Sequence, residues 1–332
     1  MKRLIRLAAL MCCVLTLVSC AAPSLGGPRA PATLMPGVDT VLPEAEAPPA
    51  LDGQAEATLY FRYLDEPYLA PETRSITVSP SQPYELSLLT ALLSGPGTRS
   101  SDLRALFPAG TRVRSTVTQG RTLFVTLSRQ IMNRYADEPE DWPDDPVWAF
   151  EAPLRRRLCM QSLVATVTEN CDVDQVQILV EQDGAVTDSL RLKQEYFLDG
   201  GTGLMGPMTR DETMLLTPDV TLDVALSLWR ERDWLRLYRY LARHDPVTGD
   251  ERVSYDDFIA KLESLPALTD YAFAGGSVQR GGARATYTLS AAVMNADGQT
   301  EEIGGRVIRL CREGGLWRVS LDQLTGWLEV RP

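Results

Sequence analysis

The sequence predicts an α+β protein. Three observations lead there: apolar and polar residues alternate at 59–63 and 113–127, leucine-rich stretches of helical period fall at 84–93 and 152–168, and strand-like segments cut by glycine turns fill the chain after residue 272. At 332 residues, 44% of them hydrophobic, the chain has room for two folded domains of about 100–150 residues each.

The chain opens with Lys2, Arg3 and Arg6, continues through an apolar stretch from Leu7 to Val18, and reaches Leu17-Val18-Ser19-Cys20. A basic n-region, a short apolar core and a small residue before the cut mark an export signal too short to span as a finished helix. The arrangement resembles a bacterial lipoprotein signal. That resemblance implies removal of residues 1–19, with Leu17, Val18 and Ser19 read by the peptidase and a diacylglycerol group on the Cys20 thiol. The alternatives are an ordinary signal peptide or an uncleaved anchor helix; Cys12 and Cys13 lack the same small-residue context. No apolar run after Val18 approaches the roughly 18–20 residues that cross a bilayer, so acyl chains at Cys20 would be the anchor.

Residues 20–55 are rich in Pro, Ala and Gly, with Pro23, Pro28, Pro31, Pro36, Pro43, Pro48 and Pro49 spaced against any persistent helix or strand. They read as a tether. Order is expected from Ala57, where Leu59, Phe61 and Tyr63 alternate with Tyr60 and Arg62, and a second strand follows at Ser75–Val78. Tyr84–Leu93 carries Leu86, Leu89, Leu92 and Leu93 on one side, and Gly95-Pro96 stops that helix. Val113–Val117 and Leu123–Leu127 flank Gln119-Gly120, a hairpin signal. Residues 133–150 are acidic and proline-rich; their carboxylates lack the alternating ligand pattern and central glycine of a Ca²⁺ loop, so a solvated surface loop is expected. A second helix is predicted over Ala152–Thr168 and a strand over Val173–Val180, ending at Asp183-Gly184. The order is β-β-α-β-β-α-β.

Leu59-Tyr60-Phe61, Tyr68-Leu69 with Pro71-Glu72-Thr73-Arg74, Leu92-Leu93-Ser94-Gly95-Pro96 and Phe107-Pro108-Ala109-Gly110-Thr111 follow one another in this stretch. With the hairpin end Val125-Thr126-Leu127-Ser128, they make residues 56–205 resemble the GerMN domain, a family named for sporulation and spore germination. The family's core is similar to ring-building domains of secretion and sporulation channels. The resemblance implies a platform for protein contacts, open to self-association, with no catalytic residues to carry over.

After a junction at Leu215–Pro218, Leu222, Leu226 and Trp229 form one amphipathic series and Trp234, Leu237, Tyr238 and Leu241 another. Ser254 with Asp257 approximates a capping box for a helix holding Phe258, Leu262 and Leu265. Strands are expected at 272–278, 283–294, 303–311 and 316–319, with turns at Gly281-Gly282, Asp297-Gly298 and Gly314-Gly315. With Arg232-Asp233-Trp234, Tyr255-Asp256-Asp257-Phe258 and Gly315-Leu316-Trp317, residues 219–325 resemble the NTF2-like fold. That resemblance implies a cone, which Trp229, Trp234 and Trp317 would line or simply fill as core.

The formal charge is −11, to which Lys2, Arg3 and Arg6 contribute, so the chain without its leader carries about −14. Such a balance argues against nucleic acid as partner. The Arg155-Arg156-Arg157 run is read as the solvated face of a helix. Cys159, Cys171 and Cys311 admit one disulfide at most, Cys159–Cys171, with three idle thiols as the alternative. The single histidine, His244, is placed at a helix end before Asp245-Pro246, where its charge suits the helix dipole. One histidine rules out a multi-histidine metal site, and Gly200-Gly201-Thr202-Gly203 lacks the Lys-Ser/Thr of a phosphate loop. No catalytic residue, metal ligand or cofactor is assigned. The sequence points to a non-enzymatic, lipid-anchored envelope protein facing envelope or sporulation proteins, with a cone that binds a small ligand or peptidoglycan fragment as the alternative.

Overall fold

The computed structural model describes residues 53–182 and 185–329; Leu17, Val18, Ser19 and Cys20, and most of the tether, lie outside them. The first half is built from β1 (Gln54–Tyr63), β2 (Leu69–Thr77), α1 (Tyr84–Leu93), β3 (Leu103–Arg104), β4 (Val113–Gln119), β5 (Thr122–Leu127), α2 (Pro146–Asn170), β6 (Gln175–Gln182), β7 (Ala185–Arg191) and β8 (Met208–Thr209). β1 is central in a sheet of order β2-β1-β3. A second sheet runs β4-β5-β6-β7, with β8 also pairing β6. β5 and β6 are parallel because α2 lies between them as the crossover.

Local chemistry explains these elements. The hairpin β4–β5 closes at Gly120–Arg121, with Gly120 at φ 60° in the first central position, a conformation that costs glycine little. α2 begins six residues before the expected Ala152, since Asp145 caps it by accepting from the Val147 and Trp148 amides at 2.8 and 3.3 Å, and Pro146 occupies the first turn. Pro153, one residue past the expected start, lies inside the helix.

α2 also supplies what β1 lacks. β3 pairs β1 only at Arg62 and Tyr63, leaving the backbone of Thr58 and Tyr60 without a strand partner on that side. Three α2 residues at i, i+4, i+8 spacing take the role of a strand. The Ser162 hydroxyl donates to Tyr60 O (2.6 Å), Thr166 Oγ1 accepts from Tyr60 N (3.0 Å), and Asn170 both accepts from Thr58 N (3.0 Å) and donates to Thr58 O (2.7 Å).

The second half contains α3 (Pro218–Glu231), α4 (Trp234–Tyr240), α5 (Tyr255–Glu263), β9 (Ala267–Val278), β10 (Arg284–Met294), β11 (Thr300–Glu313), β12 (Leu316–Val319) and α6 (Leu321–Glu329). The strands form an antiparallel meander, β12-β11-β10-β9. Thr217 caps α3, Asp233 caps α4, and the Ser254 hydroxyl accepts from Asp257 N (3.2 Å) at the head of α5. β9 passes the Tyr287 ring closely: a Cβ on Gly276 would stand 2.5 Å from that ring, and the β9–β10 register shifts at the same place. α6 is absent from the sequence expectation, whose last element is the strand at 316–319; Leu324 and Trp327 on its inner face are buried, and Trp327 meets Trp229 with ring centroids 5.7 Å apart. One apolar cluster runs from Leu59 and Leu127 in the first half to Leu226 and Ile308 in the second. Among the described residues, no helix is long and apolar enough to cross a membrane.

Candidate functional site

The structure brings charged side chains together at the seam between the halves. Glu66, buried after β1, accepts a two-pronged bond from Arg236 of α4, at 2.9 and 2.7 Å. Arg318 of β12 is buried and also reaches the first half: Nη2 donates to Asp102 Oδ2 (2.5 Å) and Nη1 to the Tyr63 hydroxyl (3.2 Å), with a further bond to the Arg239 carbonyl of α4. Tyr63 OH in turn donates to Arg239 O at 2.7 Å, and its ring meets Tyr240 edge-on. Leu216 N donates to Leu69 O at 2.7 Å, so the predicted junction at Leu215–Pro218 is bonded to the start of β2.

Beside these contacts lies a cleft of about 340 Å³, lined by Ser101, Asp102, Arg243, His244, Glu313 and Arg318 among others. His244 is not at a helix end, since α4 stops at Tyr240. It sits in an extended segment, and Nδ1 meets Glu313 Oε1 at 2.9 Å. Burial raises the Glu313 carboxyl, but the Arg243 amide, the His244 contact and the Arg318 charge outweigh it and hold the group below its ordinary value. An ionised carboxylate orienting an imidazole could support proton transfer, yet the nearby Ser101 hydroxyl is bonded to the Arg243 guanidinium (3.3 Å) and Ser100 donates to Glu72. The pairing ties the segment after α4 to the end of β11.

The other sequence candidates disperse. Arg156 is buried, contrary to the solvated face expected, and Nη2 donates to buried Glu138 at 3.0 Å. Arg155 donates to Asp137 at 2.8 Å and lies over the Tyr135 ring at 4.1 Å, and Arg157 approaches Asp199. The acidic loop and the basic triplet thus answer each other, which neither shows in isolation.

Cys159, Cys171 and Cys311 are free. Cys159 lies within α2 and Cys171 is its C-cap, about 18 Å along one helix and far outside disulfide reach. Burial pushes both thiols up to about 12, away from nucleophilic character. Trp229 is core, while Trp234 and Trp317 are half-buried at separate positions. Gly200 and Gly203 hold left-handed turns in the segment between β7 and β8. Among the described residues no cluster of three or more His, Cys, Asp or Glu side chains is arranged to hold a metal ion.

Residues 58–184 match the Germane family, described as "Sporulation and spore germination". A Germane domain therefore occupies that stretch. Three solved structures are similar. The tandem GerMN domains of the sporulation protein GerM from Bacillus subtilis are 19% identical (TM-score 0.33), over 47% of this chain and 46% of that one. The first GerMN domain of the same protein is 20% identical (TM-score 0.32), over 47% and 98%. A protein assigned as a lipoprotein from Clostridium perfringens is 21% identical (TM-score 0.27), over 48% and 90%. This chain thus spans about half the length of the tandem structure. No curated protein gives a match.

Proposed function

We propose that this chain is a lipid-anchored, non-enzymatic protein of the cell envelope that presents its Germane domain as a platform for protein contacts on the extracytoplasmic face of the membrane, in sporulation or spore germination. The observation that carries the proposal is the Germane match at 58–184, downstream of a leader that runs from Lys2 to Cys20. Two acyl chains suffice for a stable anchor, and a proline-rich tether sets the reach of what it holds. The seam supports the platform role: Arg236 and Arg318 of the second half donate across it to Glu66 and Asp102 of the first, so a partner meets both halves in fixed register.

The test is metabolic labelling of cells with an alkyne fatty acid, followed by fractionation and crosslinking during growth and sporulation. The proposal expects label on the wild-type chain, its loss with Cys20→Ser, and envelope proteins crosslinked at a sporulation stage. An unlabelled wild-type chain, or a released Cys20→Ser chain that supports normal sporulation, would overturn it.

A further inference from the structure

Next to the His244 cleft, a second cleft of about 230 Å³ opens at the seam with an unusual balance of charge. Arg104 of β3, Arg239 of α4, Arg243, Arg252 and Arg318 converge there, and the acidic residues in the wall are Asp65 and Asp102. Five guanidiniums against two carboxylates leave a local excess of positive charge in a chain whose net charge is −11.

How those charges are engaged decides what the cleft can take. Asp102 is shared by Arg318 (2.5 Å) and Arg243 (2.8 Å), so one carboxylate already serves two cations. Among the described residues, Arg104 donates only to the Ser101 and Leu103 carbonyls, at 2.7 and 3.1 Å. Arg252 donates to the Tyr238 carbonyl (2.9 Å) and stacks on the Tyr238 ring at 3.9 Å, which fixes its plane without neutralising it. The Arg239 guanidinium has no ion pair among the described residues. Three guanidiniums from three separate segments therefore line one small space with no ion pair among the described residues, two of them half-buried, and Asp65 is the one remaining carboxylate in the wall to set against them. Arginine forks match the oxygens of a phosphoryl group, and like charges held this close favour a multiply charged oxyanion between them.

We infer that this seam cleft binds a phosphoryl group, carried either by a phospholipid headgroup or by a soluble phosphate. The inference does not rest on acylation of Cys20. Its test uses the full chain carrying Cys20→Ser, so that no acyl chain contributes. One arm titrates inorganic phosphate and glycerol phosphate calorimetrically; the other floats the protein with phosphatidylglycerol-containing vesicles against pure phosphatidylcholine. Saturable binding in either arm that weakens at least tenfold in Arg104→Gln/Arg239→Gln, but not in the distant Arg280→Gln, supports the site, and the arm that responds identifies the source. Should the double variant fail to fold, Arg104→Glu, at an exposed position, replaces it. No saturable binding in either arm, or binding that survives the folded cleft variants, would overturn the inference.

Discussion

The two halves treat buried charge differently. The first half satisfies most of its own: Arg62 reaches Glu151 and the Glu66 and Asp65 carbonyls, Arg156 reaches Glu138, and Glu181 accepts from Arg114 at 2.7 and 3.1 Å. In the second half, Arg318 is the one buried charged side chain among the described residues, and the carboxylate nearest it, Asp102, belongs to the first, while Glu313 of its own half stands at 3.8 Å. Glu66 is the reciprocal case, buried in the first half and answered by Arg236 in the second. Each half thus draws on the other for a buried charge, so the packing of the second half and that of the Germane domain are one problem.

That contrast can be broken in graded steps. The largest effect is expected from Arg318→Ala, which removes the buried guanidinium that joins Asp102, the Tyr63 hydroxyl and the Arg239 carbonyl and leaves a void; about 3–5 kcal/mol should be lost in urea unfolding at neutral pH, with signals from both halves shifting together. Glu138→Ala, confined to the first half, leaves the Arg156 guanidinium buried without its carboxylate and should cost about 3 kcal/mol. Arg236→Ala should cost somewhat less, about 2 kcal/mol, because its own side chain is partly exposed, although Glu66 is left buried. The Arg114–Glu181 pair sharpens the comparison by pH. The Arg114 bond holds the Glu181 carboxyl below its ordinary value of 4.5, so the pair's stabilisation is present above about pH 4.5 and is lost as pH falls through the lower folded value. The difference in urea midpoint between wild type and Glu181→Gln should therefore be greatest at neutral pH and vanish in acid. Smallest of all, Arg239→Gln should change stability by less than about 0.5 kcal/mol, since its guanidinium forms no ion pair among the described residues.

Much of this architecture is legible in short-range signals. Gly95-Pro96 ends α1, Gly120 turns the first hairpin, Ser254 starts α5, and the three glycine turns after residue 280 separate β9 to β12 as expected. Elements whose signal conflicts with local propensity are missed. α6 carries Gly326 in its middle, which argues against a helix until Trp327 finds Trp229. The first turns of α2 hide in a proline-rich acidic stretch that reads as a surface loop. The seam is illegible for another reason: Asp102–Arg318 and Glu66–Arg236 join residues 216 and 170 positions apart, and no sequence period connects them. The cleft arginines lie in four separate segments of an acidic chain, so net charge conceals them. The three α2 side chains that complete β1 could have been seen, since Ser162, Thr166 and Asn170 repeat every four residues on an otherwise apolar helix face.

The interdependence of the halves is tested most directly by a double-mutant cycle on Asp102→Ala and Arg318→Ala, with urea unfolding followed by tryptophan fluorescence and far-UV circular dichroism. Coupled halves predict coincident transitions by both probes and an interaction energy of about 1–3 kcal/mol between the two sites. Additive single effects, with separate transitions for the two halves in the wild-type protein, would contradict the account.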